Sequence, residues 1–537
     1  MMKKMIRVFA AILCCTMTIA VFTACMDDRD DPTPVPISIE NADTPSGLDE
    51  LPEYTIIYYS LGATSLEKFH AYSQFYQADP ETFKKVNVVI QHKFSTTENM
   101  KTLEEVFDEN TCETFGGKTV RWAVDPSKDY TEQWLDTGNI YGADNADVTC
   151  PDSLTSFINW AAKTYPAKKY MLILDSHGGG YQPNDELPET ISAATRGLLY
   201  DGGYPVRGQQ NKHFTAKSLY RGVAAADVRM EIIFMYACLM SNLEYVFELH
   251  DLCDYIIGST YSMMSEGGAM FDLPVLLSQP DIPMDKKLDV ICKSFVVTWE
   301  KFYIDNDYPD DYPVYYDLTV TRTAGIPHLG EMLREFIDRL CDTYANGTDA
   351  QRQAIDNCTA KAVRVETNRP IYDAVKYVKS LVDALPEVYG DAFANRMKIA
   401  FNNCIVAQYF SKYLNVRNYM VDYSVLLGSK GAYSYVFWET DEKTGYMDPD
   451  EEVVFLDNGE FQRFKLFPTD NMGAYERGEL FKSGKWGSTL ADTYEQLAFD
   501  RAVGWSRWLR LNQQWPDAFS AAGMEFSLPM PEDDSLK

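Results

Sequence analysis

Positive charge is scarce in this 537-residue chain. Lys and Arg number 49 against 79 Asp and Glu, a formal net charge of -30. A surface of that sign repels a polyanion, so nucleic acid is excluded as an expected partner. Metal-binding patterns are missing too. The 11 cysteines form no CxxC pair, and His70, His92, His213, His250 and His328 fall at no ligand spacing. Neither a zinc module nor a dense disulfide framework is indicated. "FGGKT" at 115–119 lacks the first glycine of a phosphate loop, because that position is Cys112. "DNDYPDD" at 305–311 and "DNAD" at 144–147 lack the glycine and terminal glutamate of an EF-hand and read as solvated loops. There is no internal repeat.

The N-terminus carries the first positive signal. Lys3, Lys4 and Arg7 precede an apolar stretch from Val8 to Phe22, and "FTAC" follows. Residues 1–24 are expected to be a lipoprotein signal peptide, with Cys25 as the lipidated first residue of the mature chain. Residues 25–52 are acidic and Pro-rich, which suits an extended tether. This arrangement resembles surface lipoproteins of Gram-negative bacteria. It implies a lipid-anchored protein of the cell envelope, at the outer membrane and exposed on the surface, held by acyl chains. With Cys14, Cys15 and Cys25 set aside, the remaining cysteines are scattered and read as buried thiols, Cys238 excepted.

From Tyr54 to Ser262, short apolar strands alternate with helical segments. "YTIIYYS" (54–60), "VNVVIQHK" (86–93), "TVRWAVD" (119–125), "KYMLILDSH" (169–177), "MEIIFMYACL" (230–239) and "YIIGSTYS" (255–262) read as strands. "SLTSFINWAAKTY" (153–165) has apolar residues at helical spacing, and 241–252 reads as a second helix. Continuous apolar strands between helices imply a mainly parallel α/β sheet covered on both faces. Residues 181–229 interrupt the rhythm with a long, basic loop. Residues 53–281 are expected to form this domain. Residues 282–537 are expected to add an α+β region packed on it, with helices near 284–303, 325–345, 371–384, 389–412 and 485–512 and strands at 433–438 and 452–457.

In a parallel sheet, functional groups gather at the carboxyl ends of strands. One strand here ends at His177, followed by three glycines, and another ends at Cys238. If the strands are neighbours, an imidazole and a thiol emerge at one edge, and the imidazole can take the thiol proton. A helix starting just after Cys238 would favour an anion there. The backbone amides of Gly178 and Cys238 are candidate oxyanion donors.

These segments resemble the clostripain family of cysteine peptidases. "LILDSHGGG" is similar to that family's histidine motif, in which Trp stands where this chain has Asp175. "YACLMSNLEYVFEL" is similar to its cysteine motif through Ala237, Cys238, Leu239, Met240, Glu244, Glu248 and Leu249. The resemblance covers about 54–275 and is faint beyond. It implies a caspase-like fold and a cysteine endopeptidase acting through a Cys238–His177 dyad and a thioester. Tyr236, Thr260 and Tyr261 are assigned to substrate binding. The substrates are proteins or peptides, and the chain acts as a monomer. No cofactor is required; calcium is allowed by the resemblance, without assigned ligands. Two departures stand out. The family's acid two positions before the cysteine, associated with a basic P1 side chain, is here Tyr236, and "GATS" (62–65) replaces an acidic pair. These favour an aromatic or apolar P1 residue unless another acid, such as Glu266, takes the role. The competing reading is a catalytically silent surface lipoprotein that keeps the fold to capture peptide or glycan.

Overall fold

A computed structural model describes residues 51–62, 69–103, 106–143, 146–181, 198–201, 212–264, 268–306, 315–363, 365, 371–417, 419–427 and 494–512. The signal peptide, Cys25 and nearly all of the tether lie outside these residues. So do Glu266, most of the 181–229 loop, most of "GATS" and "DNDYPDD", half of "DNAD", and the strands expected at 433–438 and 452–457.

The strands in chain order are β1 (Tyr54–Leu61), β2 (Val86–Lys93), β3 (Thr119–Ala123), β4 (Ile140–Tyr141), β5 (Lys169–Asp175), β6 (Leu198–Asp201), β7 (Lys212–Phe214), β8 (Ile232–Tyr236), β9 (Tyr255–Gly258), β10 (Asp317–Arg322), β11 (Ile371–Asp373), β12 (Ile405–Phe410) and β13 (Ser424–Leu426). Nine form one sheet in the order β12-β10-β9-β8-β5-β1-β2-β3-β4. The central five, β2, β1, β5, β8 and β9, run parallel. The flanking strands are antiparallel. The expected mainly parallel sheet is therefore present, with antiparallel margins.

Alternation along the strands builds two cores. Ile57, Tyr59, Leu172, Leu174, Ile233 and Met235 face one; Ile56, Tyr58, Met171, Ile173, Phe234 and Tyr236 face the other. The helix Pro151–Thr164 opens with Pro in its first turn and buries Leu154, Phe157, Ile158, Ala161 and Ala162, the apolar stripe read from sequence. It belongs to the first core. The helix Met284–Asp305 buries Leu288, Ile291, Phe295 and Trp299 in the second.

Residues beyond 282 are more integral than expected. Instead of packing on a finished domain, they supply β10 and β12 to the same sheet. Pro45–Lys537 clusters as one compact unit. The stretch 389–412, expected to be helical, is a helix only to Cys404 and then β12. "IVAQYF" has the β-branched and aromatic residues that suit pairing with β10, and Ala407 joins the second core. Likewise 371–384 begins as the short strand β11 before its helix.

Candidate active site

β5 and β8 are adjacent and parallel, paired Met171↔Ile232 through Asp175↔Tyr236. Each pair differs by 61 positions, the separation of His177 and Cys238. The register thus carries both residues off the sheet at the same level, on neighbouring strand ends. Each is partly exposed.

The strand ends touch through their backbones. A Cβ on Gly178 would stand 2.2 Å from the Cys238 carbonyl oxygen and 2.9 Å from its nitrogen, which only glycine tolerates. The Gly178 N–H makes no hydrogen bond among the described residues. Two leucines with left-handed backbones clasp the segments. Leu199 (φ 59°) donates its N–H to the His177 carbonyl at 3.0 Å. Leu239 (φ 66°), next to Cys238, donates to the Tyr261 carbonyl at 2.8 Å. A branched-chain residue in this region costs about 1–2 kcal/mol, so surrounding bonds must hold it there.

The sulfur's surroundings differ from expectation. The helix after the cysteine spans Leu243–Leu249 with Asn242 as N-cap, so Cys238 lies four residues before that cap and outside the first turn. The Met263 N–H instead donates to Cys238 Sγ at 3.2 Å. An amide aimed at sulfur is an interaction a thiolate uses.

Beside this pair lies a row of polar side chains at one level of the sheet. The register aligns His92, Ser60, Asp175 and Tyr236 on β2, β1, β5 and β8. His92 Nδ1 is 3.0 Å from Ser60 Oγ. Tyr58 Oη and Ser60 Oγ donate to Asp175 Oδ2 at 2.8 and 3.1 Å. Asp175 Oδ1 accepts no hydrogen bond among the described residues, and the residue keeps part of its surface open. Burial pushes the Asp175 carboxyl up to about 6, against the pull of its two hydroxyl donors. Asp175 carries no role in the sequence analysis beyond standing where the family has Trp. The available signal was its place two residues before the histidine, matching that of Tyr236 before the cysteine.

Of the positions assigned to substrate binding, Tyr236 is buried, its hydroxyl donating to the Met264 carbonyl at 2.7 Å. Thr260 and Tyr261 are placed differently from expectation. Both are buried, the Thr260 hydroxyl donates to the Val421 carbonyl at 3.0 Å, and the Tyr261 hydroxyl donates to the Tyr419 carbonyl. Their polar groups are engaged in holding the chain rather than presented to a ligand. The motif glutamates are also structural: Glu244 accepts from Tyr494 Oη at 2.8 Å, and Glu248 accepts the Ala498 N–H at 2.7 Å. Among the described residues no cluster of three or more His, Cys, Asp or Glu could hold a metal ion, and no helix is long and apolar enough to cross a membrane.

The model of the clostripain family matches residues 130–451, more than half of the sequence. The chain belongs to the clostripain family. It is therefore a cysteine peptidase. The match runs well past residue 275, where the sequence resemblance had faded. No curated protein matches. Among solved structures, the chain is similar to a secreted C11 cysteine protease from Bacteroides thetaiotaomicron, "iotapain": 16% identity, 67% of this chain and 87% of that one, TM-score 0.47. A second structure of a secreted C11 protease from that organism, in complex with an irreversible peptide inhibitor, gives 15% identity over 73% and 95% of the two chains, TM-score 0.45. An inactive zymogen C11 protease from Parabacteroides distasonis gives 15% identity over 84% and 98%, TM-score 0.44.

Proposed function

We propose that this clostripain-family member is an endopeptidase in which Cys238 is the nucleophile and His177 its general base. The observation that carries the reading is the β5–β8 register, which sets the two residues on adjoining strand ends at one level. His177 takes the Cys238 proton, and the sulfur attacks the scissile carbonyl carbon. The C–S bond forms as the carbonyl π electrons move to oxygen, where the N–H groups of Gly178 and Cys238 receive the charge. Collapse breaks the C–N bond, and the leaving amine takes the proton from His177. Water, deprotonated by His177, then hydrolyses the thioester and returns the thiol. These steps use no cofactor; full activity after EDTA treatment is the expected result.

The P1 reading changes from the one the sequence favoured. Tyr236 supplies no charge, but Asp175 stands across the ladder from it, its Oδ1 accepting no hydrogen bond among the described residues. The family's acid and aromatic have exchanged strands, and the charge remains at the same level of the sheet. We assign a Lys or Arg P1 preference to Asp175. The N-terminal signal and Cys25 support a lipid-anchored, surface-exposed location and extracellular protein substrates, with the enzyme acting as a monomer.

The test uses a peptidyl electrophile that labels active-site thiols, together with fluorogenic peptides. Wild type should be labelled and active. Cys238→Ala should lose both properties, and His177→Ala should lose about 10⁴-fold or more in kcat. An unlabelled wild type, or a labelled and active Cys238→Ala, would overturn the assignment.

A further inference from the structure

Asp317, the first residue of β10, carries no expected role, yet it is fully buried beside the segment that faces Cys238. Its carboxylate accepts four contacts from three consecutive residues. Ser259 Oγ donates at 2.6 Å, the Thr260 N–H lies 3.0 Å from both oxygens, and the Tyr261 N–H donates at 3.0 Å. Successive amides converging on one anion form a nest, and charge-assisted bonds of this kind are stronger than neutral ones. Burying a carboxylate is costly unless its donors are fixed. The nest therefore defines the path of the chain after β9.

That path bears directly on the cysteine segment. The Ser259 carbonyl accepts the Ser241 N–H at 2.7 Å, and the Tyr261 carbonyl accepts the Leu239 N–H at 2.8 Å. Two residues further on, the Met263 N–H reaches Cys238 Sγ. Three consecutive odd-numbered residues of one segment thus hold Ser241, Leu239 and the sulfur itself. The left-handed backbone of Leu239, which aims the preceding cysteine, depends on one of these bonds.

We infer that Asp317 is a positioning residue for the nucleophile: through the 259–263 segment it fixes the Leu239 backbone and the Met263 amide that set the direction and reactivity of Cys238. The inference rests on the proposed role of Cys238. Without the carboxylate, two buried amides lose their acceptor and the segment must rearrange to pair them. Substrate binding changes little, because the Asp317 carboxylate is fully buried and both its oxygens are taken up by the 259–261 segment. The cost falls on the chemical step.

The experiment measures, on the full chain, kcat and KM separately, the rate at which iodoacetamide alkylates Cys238 followed on its own peptide by mass spectrometry, and the thermal midpoint. Asp317→Ala should lower kcat and the alkylation rate by about ten-fold or more, with KM within about two-fold. Asp317→Asn, which keeps one acceptor oxygen, should recover part of both rates. Unchanged kcat and alkylation in a folded Asp317→Ala protein, whatever its midpoint, would overturn the inference. If that variant does not fold, Ser259→Ala decides. Removing the shortest of the contacts should slow both rates in the same direction, and no change in either overturns the inference. A wild-type Cys238 that resists alkylation would instead refute the proposed nucleophile and take this inference with it.

Discussion

Asp175 and Tyr236 face each other across the β5–β8 ladder, each two residues before one member of the candidate dyad. On the proposed reading, Asp175 supplies from the neighbouring strand the acid that the cysteine strand lacks. The Asp175 carboxylate receives Tyr58 and Ser60 on one oxygen, and the other accepts no hydrogen bond among the described residues.

Selectivity should follow Asp175. In Asp175→Asn, kcat/KM for Lys or Arg at P1 should drop by about 10²-fold relative to an apolar P1 substrate, the scale of one lost charge-assisted contact. In wild type, the ratio of basic to apolar kcat/KM should fall as pH drops through about 6, where Asp175 takes up a proton. The ratio cancels titration of the dyad, common to both substrates. A ratio flat from pH 5 to 8 would remove Asp175 from P1 recognition.

The same group should limit stability. A carboxyl raised from 3.8 to about 6 binds its proton more tightly in the folded chain than in the unfolded one. Its relative stabilisation is complete below about 3.8 and is lost as pH rises through about 6. Asp175→Asn should therefore melt higher than wild type at pH 7.5, by about 2–4 °C, with the gap narrowing at pH 5. Calorimetry at the two pH values checks both the sign and the trend.

Tyr236 should act in packing. Removing its hydroxyl in Tyr236→Phe leaves the buried Met264 carbonyl without its partner, at about 1 kcal/mol. The melting point should fall by a degree or two while the P1 ratio stays at the wild-type value. A changed ratio would assign Tyr236 a direct part in specificity.

Gly178→Ala tests the close approach of the two strand ends. A methyl 2.2 Å from the Cys238 carbonyl oxygen forces the segments apart. Activity should fall at least about 10²-fold, consistent with displaced oxyanion donors, while circular dichroism shows the sheet retained. Near-normal kcat would show that the approach is dispensable.

The C-terminal segment should be held by the motif glutamates. Glu244→Ala and Tyr494→Phe each break one buried bond and should be strongly non-additive in a double-mutant cycle, with a coupling of about 1–2 kcal/mol read from denaturant unfolding. Additive effects would show that the two residues stabilise the chain independently.

Several features were legible because they are local. The unbroken apolar runs of "YTIIYYS" and "YMLILD", and the helical stripe from Leu154 to Ala162, record burial directly in residue order. His177 and Cys238 stood out because reactive types followed apolar runs. For Thr260 and Tyr261, residue order holds no sign of which carbonyls claim their hydroxyls. β12 read as a continuation of a helix because the sequence does not show that an open sheet edge awaits it. Asp317 was invisible, since its donors lie 56 to 58 positions away.

By itself, the sequence determined the five central parallel strands, their apolar character and the two reactive residues, because each depends on a few consecutive side chains. Only the tertiary structure decided that β5 and β8 are neighbours in a 61-residue register, that Asp175 meets Tyr236, and that Asp317 braces the chain behind Cys238. Those relationships depend on which distant backbones share hydrogen bonds. Such pairing is selected by packing of the whole sheet, not by the residues on either side of a motif.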